Sequence, residues 1–105
     1  MKIKSKKWME REKLKLWRNL VLTRDDFKCQ ICYSKPNKPN IHHIIPKQVK
    51  ELRYDVMNGI TLCYNHHKVG VHSPHMNALW FFIWFRDIYC KDKSERFNYL
   101  MDKLK

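Results

Sequence analysis

Cys29-Gln30-Ile31-Cys32 opens the decisive stretch and Asn58-Gly59-Ile60-Thr61-Leu62-Cys63-Tyr64-Asn65-His66-His67 nearly closes it, with Ile41-His42-His43-Ile44-Ile45-Pro46 between them and His72 just beyond. These residues include three of the 4 cysteines and five of the 6 histidines. Cys29 and Cys32 are separated by two residues, and Cys63 and His66 repeat that gap. A tight turn through each pair brings two ligands to one ion, and two such knuckles fill the tetrahedral shell of a structural zinc site. Unrelated buried cysteines, or a disulfide in an exported protein, leave the matched spacing unexplained.

A second set remains: His42, His43, His67 and His72. Adjacent residues of an extended strand point to opposite faces, so His42 and His43 do not readily share an ion. The geometry suits a division of labour. One imidazole can hold a divalent metal while its neighbour takes a proton from water, since neutral histidine is both a ligand and a base near neutral pH. Considered without its surroundings, the pair also fits a merely polar strand surface.

In order, Cys-x2-Cys, His42-His43-Ile44-x-Pro46, Asn58-Gly59-Ile60-Thr61-Leu62-Cys63-x2-His66-His67 and a trailing His72 resemble the HNH endonuclease family with its ββα-metal fold, in a small phage-type form. The resemblance covers Cys29 to His72. It implies that His42 binds the catalytic divalent ion, that His43 is the general base, and that Asn58 ties the loop bearing the base to the hairpin. His67 and His72 match the remaining ligands of that ion, and Cys29, Cys32, Cys63 and His66 match the zinc ligands. Two departures stand out. His66 takes a place where many relatives carry cysteine, and Lys68-Val69-Gly70-Val71 put four residues, not three, between His67 and His72. On an unbroken helix His67 and His72 would lie about 140° apart around the axis. Gly70 can end the helix and let His72 swing back, with His75 as the alternative ligand.

The implied chemistry is metal-assisted hydrolysis of a DNA phosphodiester, leaving a 5′-phosphate and a 3′-hydroxyl. Mg²⁺ or Mn²⁺ is the implied cofactor, although three imidazoles also accept Zn²⁺ or Ni²⁺. Lys47, Arg53 and Lys68 are placed to neutralise flanking phosphates.

The bulk properties agree with that reading. A chain of 105 residues has a marginal core without a staple, which zinc supplies. Lys and Arg number 22 against 10 acids, a net +12 that favours a polyanion partner without naming its kind. No apolar run follows the basic opening residues, and Ala78–Phe85 is too short to span a bilayer, so no membrane association is expected. Cysteines committed to metal imply a reducing, cytoplasmic compartment and no secretion. Cys90 reads as a small apolar residue on a helix.

A single α+β domain is expected: a basic helix within residues 1–23, a zinc-stapled ββα-metal core over 24–72, and a helical extension over 73–105. The first helix should dock through Leu14, Trp17, Leu20 and Val21, and Phe27 should pack beneath the zinc. Ser34 to Asn40 is a loop, Ile41–Ile45 a strand, and Asn58-Gly59 a turn before a strand at Ile60–Leu62. A helix starting near Tyr64 should carry His67. Asn77 caps a helix running to about Tyr89, apolar nearly all round. It is either sandwiched between the first and last helices or the contact of a homodimer; otherwise the chain is a monomer. Ser94 caps the final helix, with Phe97, Leu100, Met101 and Leu104 on one stripe. Two other function classes fit the same composition: a non-catalytic zinc-ribbon nucleic-acid binder, and an adaptor acting through the apolar helix.

Overall fold

A computed structural model describes residues 5–105, so the first four residues of the 1–23 segment lie outside the described residues. Helix α1 spans Lys6–Arg24, and the Ser5 hydroxyl caps it by accepting from the Trp8 amide at 3.1 Å. Strand β1 (Asn40–His43) pairs antiparallel with β2 (Gly59–Leu62), setting His42 opposite Ile60 and His43 opposite Gly59. A π-helical turn, Asn65–Val69, follows β2. Helix α2 (Ala78–Trp84) runs on as a π turn through Phe85–Tyr89, and α3 covers Ser94–Leu104. The result is a small α+β domain, a two-stranded sheet with helices before and after it, consistent with the ββα-metal fold.

Because side chains alternate along a strand and cross-strand partners share a face, the hairpin has two unlike sides. One carries Ile41, His43, Gly59 and Thr61 and receives α1, where Trp17, Val21 and Ile41 form a small core. The other carries Asn40, His42, Ile60 and Leu62; there the main core gathers Ile60 and Leu62 with Cys29, Leu52, Phe81, Phe85 and Leu100. The expected sandwich of α2 between the first and last helices is therefore corrected. The hairpin stands between α1 and α2, and α2 packs toward α3 through Phe82 and Phe97, whose rings lie 5.8 Å apart.

Several local expectations also change. Of the α1 stripe only Trp17 and Val21 are buried, while Leu14 and Leu20 keep 39% and 46% of their surface. A 19-residue helix is about 28 Å long, and two four-residue strands cannot cover it. Phe27 is 49% exposed at a positive φ of 58°, so it turns outward rather than packing under the zinc cluster. Lys93, not Ser94, is the cap position of α3, and no side chain caps that helix.

Asn58-Gly59 is not a tight hairpin turn. Asn58 closes a 3₁₀ turn, Val56–Asn58, and Gly59 begins β2 in extended backbone at φ −112°. Glycine is needed because α1 lies against it: a Cβ there would come within 2.4 Å of Val21 Cγ2 and 2.8 Å of Trp17. The Gly59 carbonyl accepts from two guanidiniums, Arg24 at 2.6 Å and Arg96 at 2.8 Å. Arg24 also forks onto Asp25, whose Oδ2 accepts from the Thr61 amide at 2.9 Å. Arg96 donates to the Met57 carbonyl as well, so α3 is pinned to the start of β2.

Gly59→Ala is expected to destabilise the domain by about 1–3 kcal/mol, the usual cost of forcing atoms into a packed core. Thermal unfolding of the zinc-loaded protein measures this, and adding Val21→Ala should recover part of the loss. A Gly59→Ala variant as stable as the parent would contradict the docking described here.

Candidate metal centres

The first centre is built by two turns. In the 29–34 segment the Cys29 amide donates to the Ser34 carbonyl at 2.9 Å and the Tyr33 amide to the Cys29 carbonyl at 2.7 Å, with Tyr33 at φ 62°. This curls Cys29 and Cys32 toward the start of the π turn, where Cys63 and His66 sit. Sγ of Cys63 lies 3.3 Å and Sγ of Cys29 3.8 Å from His66 Nδ1, and the Cys32 and Cys63 sulfurs are 3.9 Å apart. A tetrahedral shell with zinc–sulfur bonds near 2.3 Å has edges of about 3.8 Å. All four ligand atoms lie within 4.8 Å of one another. This Cys3His cluster is consistent with a structural zinc site. Burial pushes the Cys29 thiol up to about 11, a penalty on the thiolate that a bound cation offsets. Cys90 lies apart, buried in the main core.

The second centre collects His42 from β1, His67 from the π turn and His75 from the loop before α2, with one ring nitrogen of each within 4.8 Å of the others. Nε2 of His67 and Nε2 of His75 face each other at 3.2 Å, the separation of two ligands on one small cation. The His42 ring stands edge-on to both, at 5.1 and 5.3 Å between centroids.

His72, assigned from sequence as the last ligand, is not in this cluster; His75 takes its place. Gly70 does end the helical turn, in extended backbone at ψ 154°, but the chain then runs outward. Ser73 reverses it, donating through Oγ to the Gly70 carbonyl at 2.7 Å while its own carbonyl accepts from the Asn77 amide at 2.8 Å. The reversal throws His75 back across His67 and leaves the His72 ring stacked on Trp80, 4.5 Å away and 12° from parallel.

Asn40 was not singled out from sequence beyond its place in the loop. It lies two positions before His42, hence on the same strand face, and its Oδ1 accepts from His67 Nδ1 at 3.0 Å. That bond fixes the tautomer with Nε2 free for a metal, the usual second contact of a ligating imidazole. The alternation Asn40-x-His42 was the available signal.

Electrostatics favour neutral ligands. Burial, and then the charges of His67 and His75, push His42 down to about 3. Burial, then His75 and Lys68, pushes His67 to about 4, and burial also lowers His75. Protons therefore compete weakly with a cation for these nitrogens above the ordinary acid range.

His43 goes to the other side of the strand. Its ring stacks on Trp17 at 4.1 Å, and its Nε2 donates to the Arg53 carbonyl at 2.9 Å, leaving Nδ1 as the basic nitrogen. Burial lowers its pKa, only partly opposed by that hydrogen bond. Asn58, fully buried, staples the loop that follows: Oδ1 accepts from the Ile45 amide at 2.7 Å, while Nδ2 donates to the carbonyls of Ile45 at 2.9 Å and Leu52 at 3.1 Å. His42, His43, His67 and His75 border one cavity of about 690 Å³, together with Lys47 and Lys68. Arg53 is not on its wall; its Nε donates to the Lys47 carbonyl at 2.8 Å and its own carbonyl holds His43.

Compared with known proteins, residues 29–69 match the profile of the HNH endonuclease family. This segment carries the assignment to the HNH family. The matched HNH segment contains the whole Cys3His cluster together with His42, His43, Asn58 and His67, and ends before His75. No curated protein and no solved structure matches the chain. An HNH core with a structural metal cluster and a separate histidine cluster is consistent with a metal-dependent, nuclease-like enzyme. No helix among the described residues is long and apolar enough to cross a membrane.

For the zinc-loaded protein titrated with Mn²⁺ by calorimetry, His75→Ala is expected to abolish measurable binding and His72→Ala to leave it within about twofold. Asn40→Leu should weaken binding about 10–100-fold, with Asn40→Asp recovering most of it. Loss in His72→Ala equal to that in His75→Ala would overturn the assignment.

Proposed function

We propose that the protein is a DNA endonuclease that hydrolyses a phosphodiester bond with a divalent cation, Mg²⁺ or Mn²⁺, held by His42, His67 and His75. The observation that carries this reading is a neutral three-histidine cluster on a cavity that His43, the next residue of the strand, also borders, with the His43 ring held separately against Trp17. When bound, that cation would supply Lewis-acid chemistry that offsets developing negative charge.

The chain's own groups do the rest. His43 Nδ1 accepts a proton from the attacking water, and the Arg53 carbonyl, by holding Nε2–H, keeps that nitrogen free for the task. Trp17 fixes the ring plane by stacking. Asn58 acts as a positioning residue, since it locks the backbone at Ile45 just beyond the base. Lys47 and Lys68 supply positive charge beside the cavity, and Arg53 is reassigned from phosphate contact to support of the base. The excess of 22 basic over 10 acidic residues draws the protein to a polyanion.

Plasmid nicking in Mn²⁺ tests the reading. His43→Ala should lower the rate about 10²–10⁴-fold, the usual contribution of a general base, while zinc content and Mn²⁺ affinity stay intact. Undiminished cutting by His43→Ala would remove it as base, and tight DNA binding with no cutting by the parent would favour the zinc-ribbon binder.

The pH profile follows from the direction of the His43 shift. With its pKa held below the ordinary histidine value of about 6.5, the base stays deprotonated further into acid. The acid limb of kcat/KM should therefore have its midpoint below pH 6.5. A midpoint above 7 would contradict the assignment.

A further inference from the structure

The cavity that holds the histidines does not end with them. It continues along α2 and α3 as a trough walled by Ile45, Ala78, Phe82, Met101 and Leu104. Metal chemistry needs none of these side chains. Ile45 belongs to the main core and Met101 packs against it, but Phe82 and Leu104 keep 39% and 53% of their surface, so one side of the trough is open. At about 690 Å³ the whole cavity is within the range of sites that enclose a small organic ligand.

The two ends differ in character. Lys47 acts electrostatically on His43, and Lys68 on His42, His67 and His75, so positive charge is concentrated where the imidazoles are. The far end is apolar and aromatic, and the Arg86 guanidinium lies over the Phe82 ring at 5.6 Å. A cationic mouth joined to an aromatic wall matches a ligand that couples a phosphate to a planar apolar ring. A nucleotide is such a unit. A second copy of this chain, itself carrying +12, lacks that complementarity.

In a duplex the base faces are sealed in the stack, and what lies beside a scissile phosphate is sugar and backbone. An apolar wall there stabilises substrate only if a base has left the stack. We propose that the trough takes a nucleobase next to the phosphate being cut, so that the preferred substrate is single-stranded or locally melted DNA. The proposal rests on the nuclease reading above for its orientation, but it can be tested through binding alone.

Fluorescence anisotropy in Ca²⁺, with zinc-loaded protein, would compare a labelled single strand with the duplex of the same sequence. The single strand should bind at least about tenfold tighter, within the range of one stacked base. Ala78→Trp, which fills the trough from an exposed position, should bring the single-strand to duplex affinity ratio toward one, as should Phe82→Ser. An abasic nucleotide scanned along the strand should reproduce that loss at one or two positions in the parent and add little in Ala78→Trp. Equal affinity for the two forms, a flat abasic scan, or equal weakening of both forms by Ala78→Trp would each overturn the proposal. So would a dimer in sedimentation that Ala78→Trp dissociates, since the trough would then be covered by a second copy. Absence of cutting in Mn²⁺ would instead count against the nuclease reading and leave these binding outcomes to decide the trough.

Discussion

The Cys3His cluster is the constraint from which the rest follows. It joins a loop knuckle at Cys29–Cys32 to the exit of β2 at Cys63 and the π turn at His66. A two-stranded hairpin of four residues a side is unstable by itself in water. Tying its end to the preceding loop restricts the unfolded chain and fixes where the π turn leaves the sheet. His67 follows His66 directly, so its position relative to β1 is set by the same cluster. A metal held by the cysteines would thereby help set the approach of His67 to His42, together with the Asn40 hydrogen bond to His67.

The hairpin then works as a partition. Its alternation sends His42 toward His67 and His75 and His43 toward Trp17, and each imidazole receives a different environment. On one side burial keeps the ligands neutral; on the other a backbone carbonyl holds one nitrogen and leaves the second free. Helix α1 is more than a basic arm, because Trp17 is both the centre of the smaller core and the stacking partner of His43. Its Nε1 also donates to the Asp55 carbonyl at 2.8 Å, linking α1 to the loop that carries Arg53. The approach of α1 depends in turn on the missing side chain at Gly59.

Much of this was legible in the sequence. Paired gaps of two residues announced the Cys3His cluster, the adjacent histidines announced rings on opposite faces of the strand, and Asn77 announced the α2 cap, confirmed by its bond to the Trp80 amide at 3.0 Å. What failed depended on three-dimensional reversal. The loop between Gly70 and Asn77 reads as a simple break, yet the Ser73 hydrogen bonds fold it back and exchange His75 for His72. Asn58-Gly59 carries the signature of a tight turn, but a helix distant in sequence uses the glycine instead. The Arg24 and Arg96 clamp on Gly59 left no local pattern, because its partners are backbone carbonyls brought together only by the fold.

Anomalous diffraction from crystals grown with Zn²⁺ and then Mn²⁺, recorded at both absorption edges, is the most direct measurement of the central claim. A zinc peak enclosed by Cys29, Cys32, Cys63 and His66 is expected, with a separate manganese peak bounded by the ring nitrogens of His42, His67 and His75. A single shared peak, or a manganese ion held by His72 with His75 turned away, would contradict it.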